Sequence, residues 1–393
     1  MSDQTPQPVP APAPAASAQL EPDFKPAHPK LDALFRAMSK MEVSDLHIKA
    51  NRQPHFRVHS QLRAVDQPPL TPAEIDDMVK SLLNEDQLKE YHDFNQVDLA
   101  YEVPGSDRFR INIYHQRGHV SIAARRVTRN IPNFEALNLP PEISSILGSH
   151  QGLVLLAGPT GSGKSTTIAS MLQWINQNRR CHIVTIEDPI EYLYEDSKAL
   201  INQREIGIDV PNFALALRAM LREDPDVVLV GEMRDMETFE AALQASETGH
   251  LVFGTIHAST APQTISRILE LFPTERRNLI LQSLAFSLNA IVCQKLLPCI
   301  KEGVSRVPAV EILRNTPVVR DLLEKGRDGE LGDVIRSNEK DGMRSFTKSL
   351  HELIETNLIE PKVAYEVAPN AEELKMMLKG INQSRGGLLG GRL

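Results

Sequence analysis

Two patterns of apolar positions divide the chain into two folded regions. Between residues 31 and 127, short segments such as Val43–Lys49 and Phe109–Tyr114 alternate apolar and polar residues, which is typical of half-buried strands. Amphipathic helices are predicted at Leu31–Met41 and Ile75–Leu83, where apolar residues recur three and four apart. Beyond residue 150 the strands become continuous apolar runs such as Leu153–Ala157, which are typical of buried strands. The pattern predicts an α+β region followed by an α/β region.

The first region, residues 30–129, has the size of a small domain. The second of its two helices should begin at Thr71–Glu74, a capping box with Pro72 in the first turn. Further strands and a hairpin are predicted at Phe56–Val58, Leu62–Val65, Val97–Val103 and His119–Val127. We therefore expect an N-terminal α+β domain of roughly 100 residues.

The second region alternates strands with helices, which implies a mainly parallel sheet. A linker at residues 130–140 precedes this core, which we place at residues 141–315 and which begins with a short helix at Pro141–Leu147. Its strands are predicted at Leu153–Ala157, His182–Ile186, Val227–Val230, Leu251–Ile256 and Val307–Leu313. Ligands of open α/β sheets bind outside the carboxyl ends of such strands.

The two ends of the chain have different compositions. Eight of the 27 prolines fall before Lys30, so residues 1–29 are expected to form a disordered Pro/Ala-rich arm. Residues 316–380 are expected to be helical, and residues 381–393, which contain four glycines, to be a flexible tail. The predicted C-terminal helices are Pro317–Lys325, Leu331–Arg336, Phe346–Thr356 and Glu372–Leu378.

Overall composition argues against several classes of protein. The formal net charge of −8 does not favour nucleic acid as a partner. Three cysteines without CxxC spacing provide neither a disulfide framework nor a zinc site. Polar residues interrupt the longest apolar stretch, Leu279–Ile300, so no membrane span is predicted, and the N-terminus does not resemble a signal peptide.

The strongest chemical signal is the segment Gly158–Ser165, which fits the phosphate-loop pattern of Gly, four residues, Gly, Lys and Ser. A buried strand precedes it and a helix follows it, which is the context that the motif needs. Lys164 should reach the β- and γ-phosphates of ATP, and the Ser165 hydroxyl should hold Mg²⁺. The predicted nucleotide-binding residues are Gly158, Pro159, Thr160, Gly161, Ser162, Gly163, Lys164, Ser165 and Thr166.

Polar residues at three further strand ends are candidates for catalysis. The strand Val227–Val230 leads to Glu232, a carboxylate that could contact Mg²⁺ or orient the attacking water. The strand at His182–Ile186 leads to Glu187, which could assist the metal or the water. His257 follows the fourth strand and could sense the γ-phosphate, whereas His250 at the other end of that strand is expected to be structural or to lie at a subunit interface.

These motifs occur in an order that resembles the secretion ATPase superfamily and, within it, the PilT-type retraction ATPases of type IV pili. The resemblance rests on the phosphate loop, on Thr185–Glu191, on Leu221–Asp235 and on Gly249–His257. It extends from about Leu31 to Leu378. It implies an N-terminal PAS-like α+β domain and a RecA-like P-loop ATPase domain with a helical C-terminal region.

The resemblance also implies functional roles and partners. A member of this family would be a cytoplasmic homohexamer, peripheral at the inner membrane, that contacts the platform protein of the pilus machine and uses ATP and Mg²⁺. Glu232 would be the catalytic glutamate, with Glu187 assisting and His257 acting as a nucleotide sensor. Arginines of the N-terminal sheet would approach the nucleotide, and the matching candidates are Arg110, Arg117 and Arg126.

Several alternatives stay open at this point. The family's retraction signature corresponds to Val318–Arg327, but Asp321 stands where asparagine is expected. An assembly or type II secretion ATPase typically has a four-cysteine insertion, which this chain lacks. A PilU-like accessory motor, which would be a paralogue working with the retraction motor, also fits. Outside this class, an ATP-gated scaffold and a nucleic-acid motor are the remaining hypotheses.

Overall fold

A computed structural model describes residues 28–58, 61–103 and 106–380. Residues 1–27 of the predicted arm and the predicted tail at 381–393 lie outside the described residues. The described chain divides into two compact units, with the boundary between Arg126 and Val127.

The first unit contains three helices and a six-stranded sheet. Its helices are α1 (Pro29–Lys40), α2 (Pro72–Leu82) and α3 (Glu85–Phe94). Its strands are β1 (Asp45–Lys49), β2 (His55–Val58), β3 (Gln61–Ala64), β4 (Gln96–Glu102), β5 (Arg108–Gln116) and β6 (His119–Val127). The strand order is β3-β2-β1-β6-β5-β4, and the β1–β2, β2–β3, β1–β6 and β4–β5 pairs are antiparallel.

Apolar residues at the predicted spacings form the core of this unit. In β5 the buried side chains alternate with more exposed ones, as half-buried strands require. The ring of Phe35 in α1 stacks on Phe109 in β5, with centroids 4.4 Å apart. Helix α2 begins with the predicted capping box, because Thr71 Oγ1 accepts a hydrogen bond from the Glu74 N–H and the Glu74 carboxylate accepts one from the Thr71 N–H.

The second unit contains a seven-stranded sheet with helices around it. Its strands are β7 (Gly152–Ala157), β8 (His182–Glu187), β9 (Leu200–Glu205), β10 (Val227–Val230), β11 (Leu251–Ile256), β12 (Leu288–Pro298) and β13 (Arg306–Arg314). Its helices begin with α4 (Glu142–Ile146), α5 (Lys164–Asn178), α6 (Phe213–Met220), α7 (Met236–Glu247), α8 (Ala261–Glu270) and α9 (Thr274–Ser287). The C-terminal helices are α10 (Pro317–Glu324), α11 (Leu331–Ser337), α12 (Phe346–Glu355), α13 (Pro361–Val367) and α14 (Ala371–Leu378).

The sheet order β13-β12-β7-β11-β10-β8-β9 confirms the predicted mainly parallel sheet. Only the pair β12–β13 is antiparallel. Strands β7, β11, β10 and β8 are therefore neighbours, and their carboxyl ends meet at one edge. Strands β9 and β12 were not among the predicted strands. Among the described residues, no helix has the length and apolar character needed to cross a membrane.

Candidate functional site

The loop between β7 and α5 has the backbone conformation of a phosphate-binding loop. Gly158, Gly161 and Gly163 all have positive φ values, of 156°, 76° and 89°. A Cβ atom at Gly158 would lie 2.4 Å from Ser162 Oγ, so even alanine would not fit there without a shift of the loop. The segment thus forms the predicted glycine loop between a buried strand and a helix.

Backbone and side-chain donors converge at the start of α5. No side chain caps the helix N-terminus, so its first N–H groups are available for an anion. Lys164 is half-buried and donates to the carbonyls of Gly158, at 2.9 Å, and Pro159, at 3.2 Å. Burial lowers the pKa of Lys164. Ser162 Oγ is buried and has no hydrogen-bond partner among the described residues.

A cavity of about 220 Å³ lies beside this loop and is lined from four strand ends. It brings together Lys164 and Ser165 from the loop, Glu187 after β8, Glu232 after β10 and His257 after β11. These residues are far apart in sequence, and the parallel order of their strands places them at one edge. The remaining lining includes Thr160, Gly161, Asp188, Glu191, Tyr192, Arg234 and Thr255.

Glu232 lies between two basic side chains. Its Oε2 accepts a hydrogen bond from Arg234 Nη2 at 2.5 Å, and its Oε1 lies 2.9 Å from His257 Nε2. The hydrogen bond from Arg234 is the main reason that the pKa of Glu232 is lowered. Glu232 is consequently a carboxylate at neutral pH and can act as an acceptor for a water molecule or as a metal ligand.

Glu187 has the opposite electrostatic environment. It is only 8% exposed, and burial raises the pKa of its carboxyl to about 7. Thr185 donates its hydroxyl to Glu187 Oε1 at 2.7 Å, and Gln203 Nε2 approaches the same oxygen at 3.4 Å. The pKa values of the two candidate acids are thus shifted in opposite directions.

The raised pKa of Glu187 predicts a pH-dependent stability. Relative to a Glu187→Gln variant, the wild type should lose about 3 kcal/mol of unfolding free energy as pH rises from about 4.5 to 7, because the unfolded carboxyl ionises before the folded one. The single tryptophan, Trp174, lies in the second unit, so urea unfolding followed by its fluorescence measures this effect. A difference between the two proteins that stays constant from pH 5 to 8 would contradict the assigned burial.

Several residues at the site were missed in the sequence analysis. Arg234 contacts Glu232, Gln203 contacts Glu187, and the Thr255 hydroxyl donates to the Gly231 carbonyl at 2.7 Å. Tyr192 shares a hydrogen bond of 2.9 Å with Thr166. Arg234 and Thr255 lie inside the quoted motifs, so the sequence contained a signal for them. Gln203 lies on strand β9, which was not predicted, so the sequence contained no signal for this residue.

The remaining candidates are His250, in the second unit, and three arginines of the first unit. The Nδ1 atom of His250 lies 2.9 Å from the Ala245 carbonyl oxygen, which fits the structural role expected for this residue. Arg126 donates to Asp107 at 3.0 Å within the first unit. Arg117 is exposed at the turn between β5 and β6, and Arg110 is partly exposed on β5. The role of these arginines toward a nucleotide stays a prediction.

Comparison with known proteins identifies the family. The model of the family described as "Type II/IV secretion system protein" matches residues 21–328, most of the chain. The chain belongs to this family. Membership confirms the secretion-ATPase resemblance and the α/β fold class that were predicted from the sequence.

Individual relatives of this secretion-system protein are similar over nearly their whole length. The type IV pilus retraction ATPase PilT of Pseudomonas aeruginosa is 39% identical over 330 residues, covering 84% of this chain and 95% of PilT. The type IV pilus ATPase PilU of the same organism is 36% identical over 350 residues, covering 89% of this chain and 91% of PilU. A crystal structure of the pilus retraction motor PilT with bound ADP has 40% identity and a TM-score of 0.81, covering 88% of this chain and 99% of that one.

Proposed function

We propose that this protein is a Mg²⁺-dependent ATPase that drives retraction of a type IV pilus. The observation that carries the proposal is the meeting of Lys164, Ser165 and Glu232 in one cavity at the carboxyl edge of the sheet. Similarity to the type IV pilus retraction ATPase PilT, and to a PilT structure with bound ADP, supports the choice of nucleotide and of process.

The residues of this site have separate tasks in hydrolysis. The loop N–H groups and the Lys164 ammonium bind the β- and γ-phosphates and stabilise the charge of the transition state. Glu232, ionised at neutral pH, orients the attacking water for in-line attack on the γ-phosphorus. Glu187, with a pKa of about 7, can take up or release a proton beside it. His257, whose Nε2 lies 2.9 Å from Glu232 Oε1, would sense the γ-phosphate.

The oxygen donors at the site fit Mg²⁺, which prefers carboxylate and hydroxyl ligands together with phosphate oxygens. Ser165 would hold the ion together with phosphate oxygens, and Glu232 would contact either the ion or the attacking water; the ion would neutralise charge on the phosphates. No group of three or more His, Cys, Asp or Glu side chains suited to a metal occurs in residues 28–58, 61–103 and 106–380. Binding of Mg²⁺ would therefore depend on the bound nucleotide.

Mechanical work requires partners beyond the chain itself. We propose a homohexamer at the cytoplasmic face of the inner membrane, in contact with the platform protein of the pilus machine. In such a ring an arginine of a neighbouring subunit, with Arg110, Arg117 and Arg126 as the candidates, would approach the nucleotide. The retraction signature, Val318–Arg327, keeps a helical spacing that is compatible with a role in retraction. Val319, Leu322 and Leu323 form the buried side of α10, and Asp321 is exposed.

An ATPase assay tests the enzymatic part of the proposal. We expect Mg²⁺-dependent release of phosphate from ATP by the purified full chain, with a rate that added single- or double-stranded DNA does not change. Absence of turnover would support the scaffold hypothesis instead. Strong stimulation by DNA would indicate a nucleic-acid motor and would overturn the pilus assignment.

Deletion of the gene in its host tests the direction of the motor. Cells without a retraction motor should carry excess surface pili and should not twitch. Bald cells would indicate an assembly motor. Similarity to PilU keeps an accessory role as the second candidate, and deletion cells that still twitch, with reduced vigour, would favour it.

A further inference from the structure

Gln294, a residue of strand β12 that lies outside the nucleotide motifs, forms a hydrogen bond to the phosphate loop. Strand β12 runs parallel to β7, and Cys293 is paired with Ala157, the last residue before the loop. The next residue of β12, Gln294, is only 3% exposed. Its Nε2 donates to the carbonyl of Ser162 at 2.8 Å, and its Oε1 accepts from the hydroxyl of Thr167 at 2.8 Å.

These two hydrogen bonds join three elements: the loop, α5 and β12. Thr167 is 1% exposed and lies in the first turn of α5. Because the Ser162 carbonyl can only accept, the amide of Gln294 must direct its Nε2 toward Ser162, and its Oε1 then accepts from the Thr167 hydroxyl. Only one orientation of the Gln294 amide group therefore satisfies both hydrogen bonds.

The bond to Ser162 determines which way the next N–H group points. In a trans peptide the carbonyl of one residue and the N–H of the following residue point in opposite directions. With the Ser162 carbonyl directed at Gln294, the Gly163 N–H points away from β12. The residues of β12, all of them within the described chain, do not line the phosphate-loop cavity. The carbonyl thus faces the strand, and the donor faces the opposite side of the loop.

The close packing of β12 against the loop also explains two glycines of the motif. A Cβ atom at Gly163 would lie 2.7 Å from Gln294 Nε2. A Cβ atom at Gly158 would lie 2.5 Å from the backbone oxygen of Gln294. Such distances are too short for a real Cβ contact, so the loop and Gln294 fit together only with glycine at both positions.

We propose that Gln294 is a positioning residue for nucleotide binding. It fixes the Ser162–Gly163 peptide so that the Gly163 N–H is directed to the phosphate side of the loop before nucleotide arrives. The residue touches neither phosphate nor metal and acts through the loop alone. Without it, a buried carbonyl would be left without a donor, and the peptide would rotate toward other partners. The proposal rests on nucleotide binding by Gly158–Ser165, as stated under the proposed function.

Titration with fluorescently labelled ADP tests this role in the full-length chain. Gln294→Met retains the length of the side chain and removes both hydrogen bonds, and we expect Kd for the labelled ADP to rise by about tenfold or more. KM for ATP should rise in the same proportion, whereas kcat should change less. The matched control is Gln282→Met, which makes the same substitution at an exposed position of α9 and should leave Kd at the wild-type value.

A second pair of variants keeps the test decisive if Gln294→Met does not fold. Thr167→Val removes the hydroxyl that holds Oε1 of Gln294 in place and should also raise Kd. Thr167→Ser retains a hydroxyl and should recover most of the lost affinity. If Kd of folded Gln294→Met, or of Thr167→Val, stays within twofold of wild type while only the urea midpoint falls, the glutamine is structural and the proposal is wrong. Failure of the wild type to bind labelled ADP would instead contradict the proposed function.

Discussion

Replacement of Glu232 by glutamine is expected to lower kcat for ATP hydrolysis by about 10²- to 10⁴-fold. The hydrogen bond from Arg234 lowers the pKa of this carboxylate, which follows β10 and lies beside the phosphate loop. Glutamine has nearly the same shape but cannot accept a proton or hold the attacking water in the same way. Since the group acts mainly in the transition state, Kd for ATP should remain within about threefold of wild type.

The control for this variant is Glu270→Gln. Glu270 forms an exposed ion pair with Arg267 at the end of α8, so its loss should leave kcat unchanged. Steady-state turnover and binding of labelled ATP provide the two quantities. Turnover of Glu232→Gln within threefold of wild type would remove Glu232 from the catalytic role and leave Glu187 as the candidate.

The second large effect is expected at Lys164. Substitution by glutamine removes the positive charge that should contact the β- and γ-phosphates. Charge-assisted hydrogen bonds of this kind contribute roughly 1.5–3 kcal/mol each, so loss of two of them should raise Kd for ATP by about 100-fold or more. Turnover at millimolar ATP should then be undetectable, and labelled-nucleotide titration measures the loss directly.

Lys362→Gln is the matched control for Lys164→Gln, because Lys362 is an exposed residue of α13. It should bind nucleotide like the wild type. Trp174 fluorescence during urea unfolding would establish that both variants fold. A folded Lys164→Gln protein that retains wild-type affinity would show that the nucleotide does not bind at this loop.

Local sequence signals were sufficient to predict the centre of the site. The glycine spacing of Gly158–Ser165 restricts the backbone, and apolar runs before Glu187 and Glu232 mark the strands that end beside it. Because parallel strands bring their carboxyl ends to one edge, the meeting of these residues followed from the order of the elements. The alternation of β5 and the capping box of α2 were readable for the same local reason.

The features that could not be predicted depend on long-range contacts. Strand β12 follows α9 without a break and carries Gln294 and Lys295 within an apolar run, so no local pattern separates helix from strand. Gln294 bonds to residues more than 120 positions earlier in the chain. Helix α3 was missed because Tyr91 is its only buried residue, which leaves almost no apolar stripe.

The electrostatic contrast between the two acids was also inaccessible from the sequence. Glu187 and Glu232 are both glutamates that follow apolar strand segments, so the sequence alone does not distinguish their environments. Their pKa values move in opposite directions because Glu187 is enclosed beside β9 while Glu232 is bonded to Arg234. Only the folded arrangement of these neighbours distinguishes the carboxyl with the lowered pKa from the carboxyl with the raised pKa.

The most direct test of the account is complementation of a deletion strain with Glu232→Gln, scored by surface pili and twitching. Wild-type protein should restore normal piliation and movement. The variant, produced at the same level and still able to bind ATP, should leave the cells hyperpiliated and unable to twitch. Restoration of twitching by Glu232→Gln would contradict the claim that ATP hydrolysis at this site drives pilus retraction.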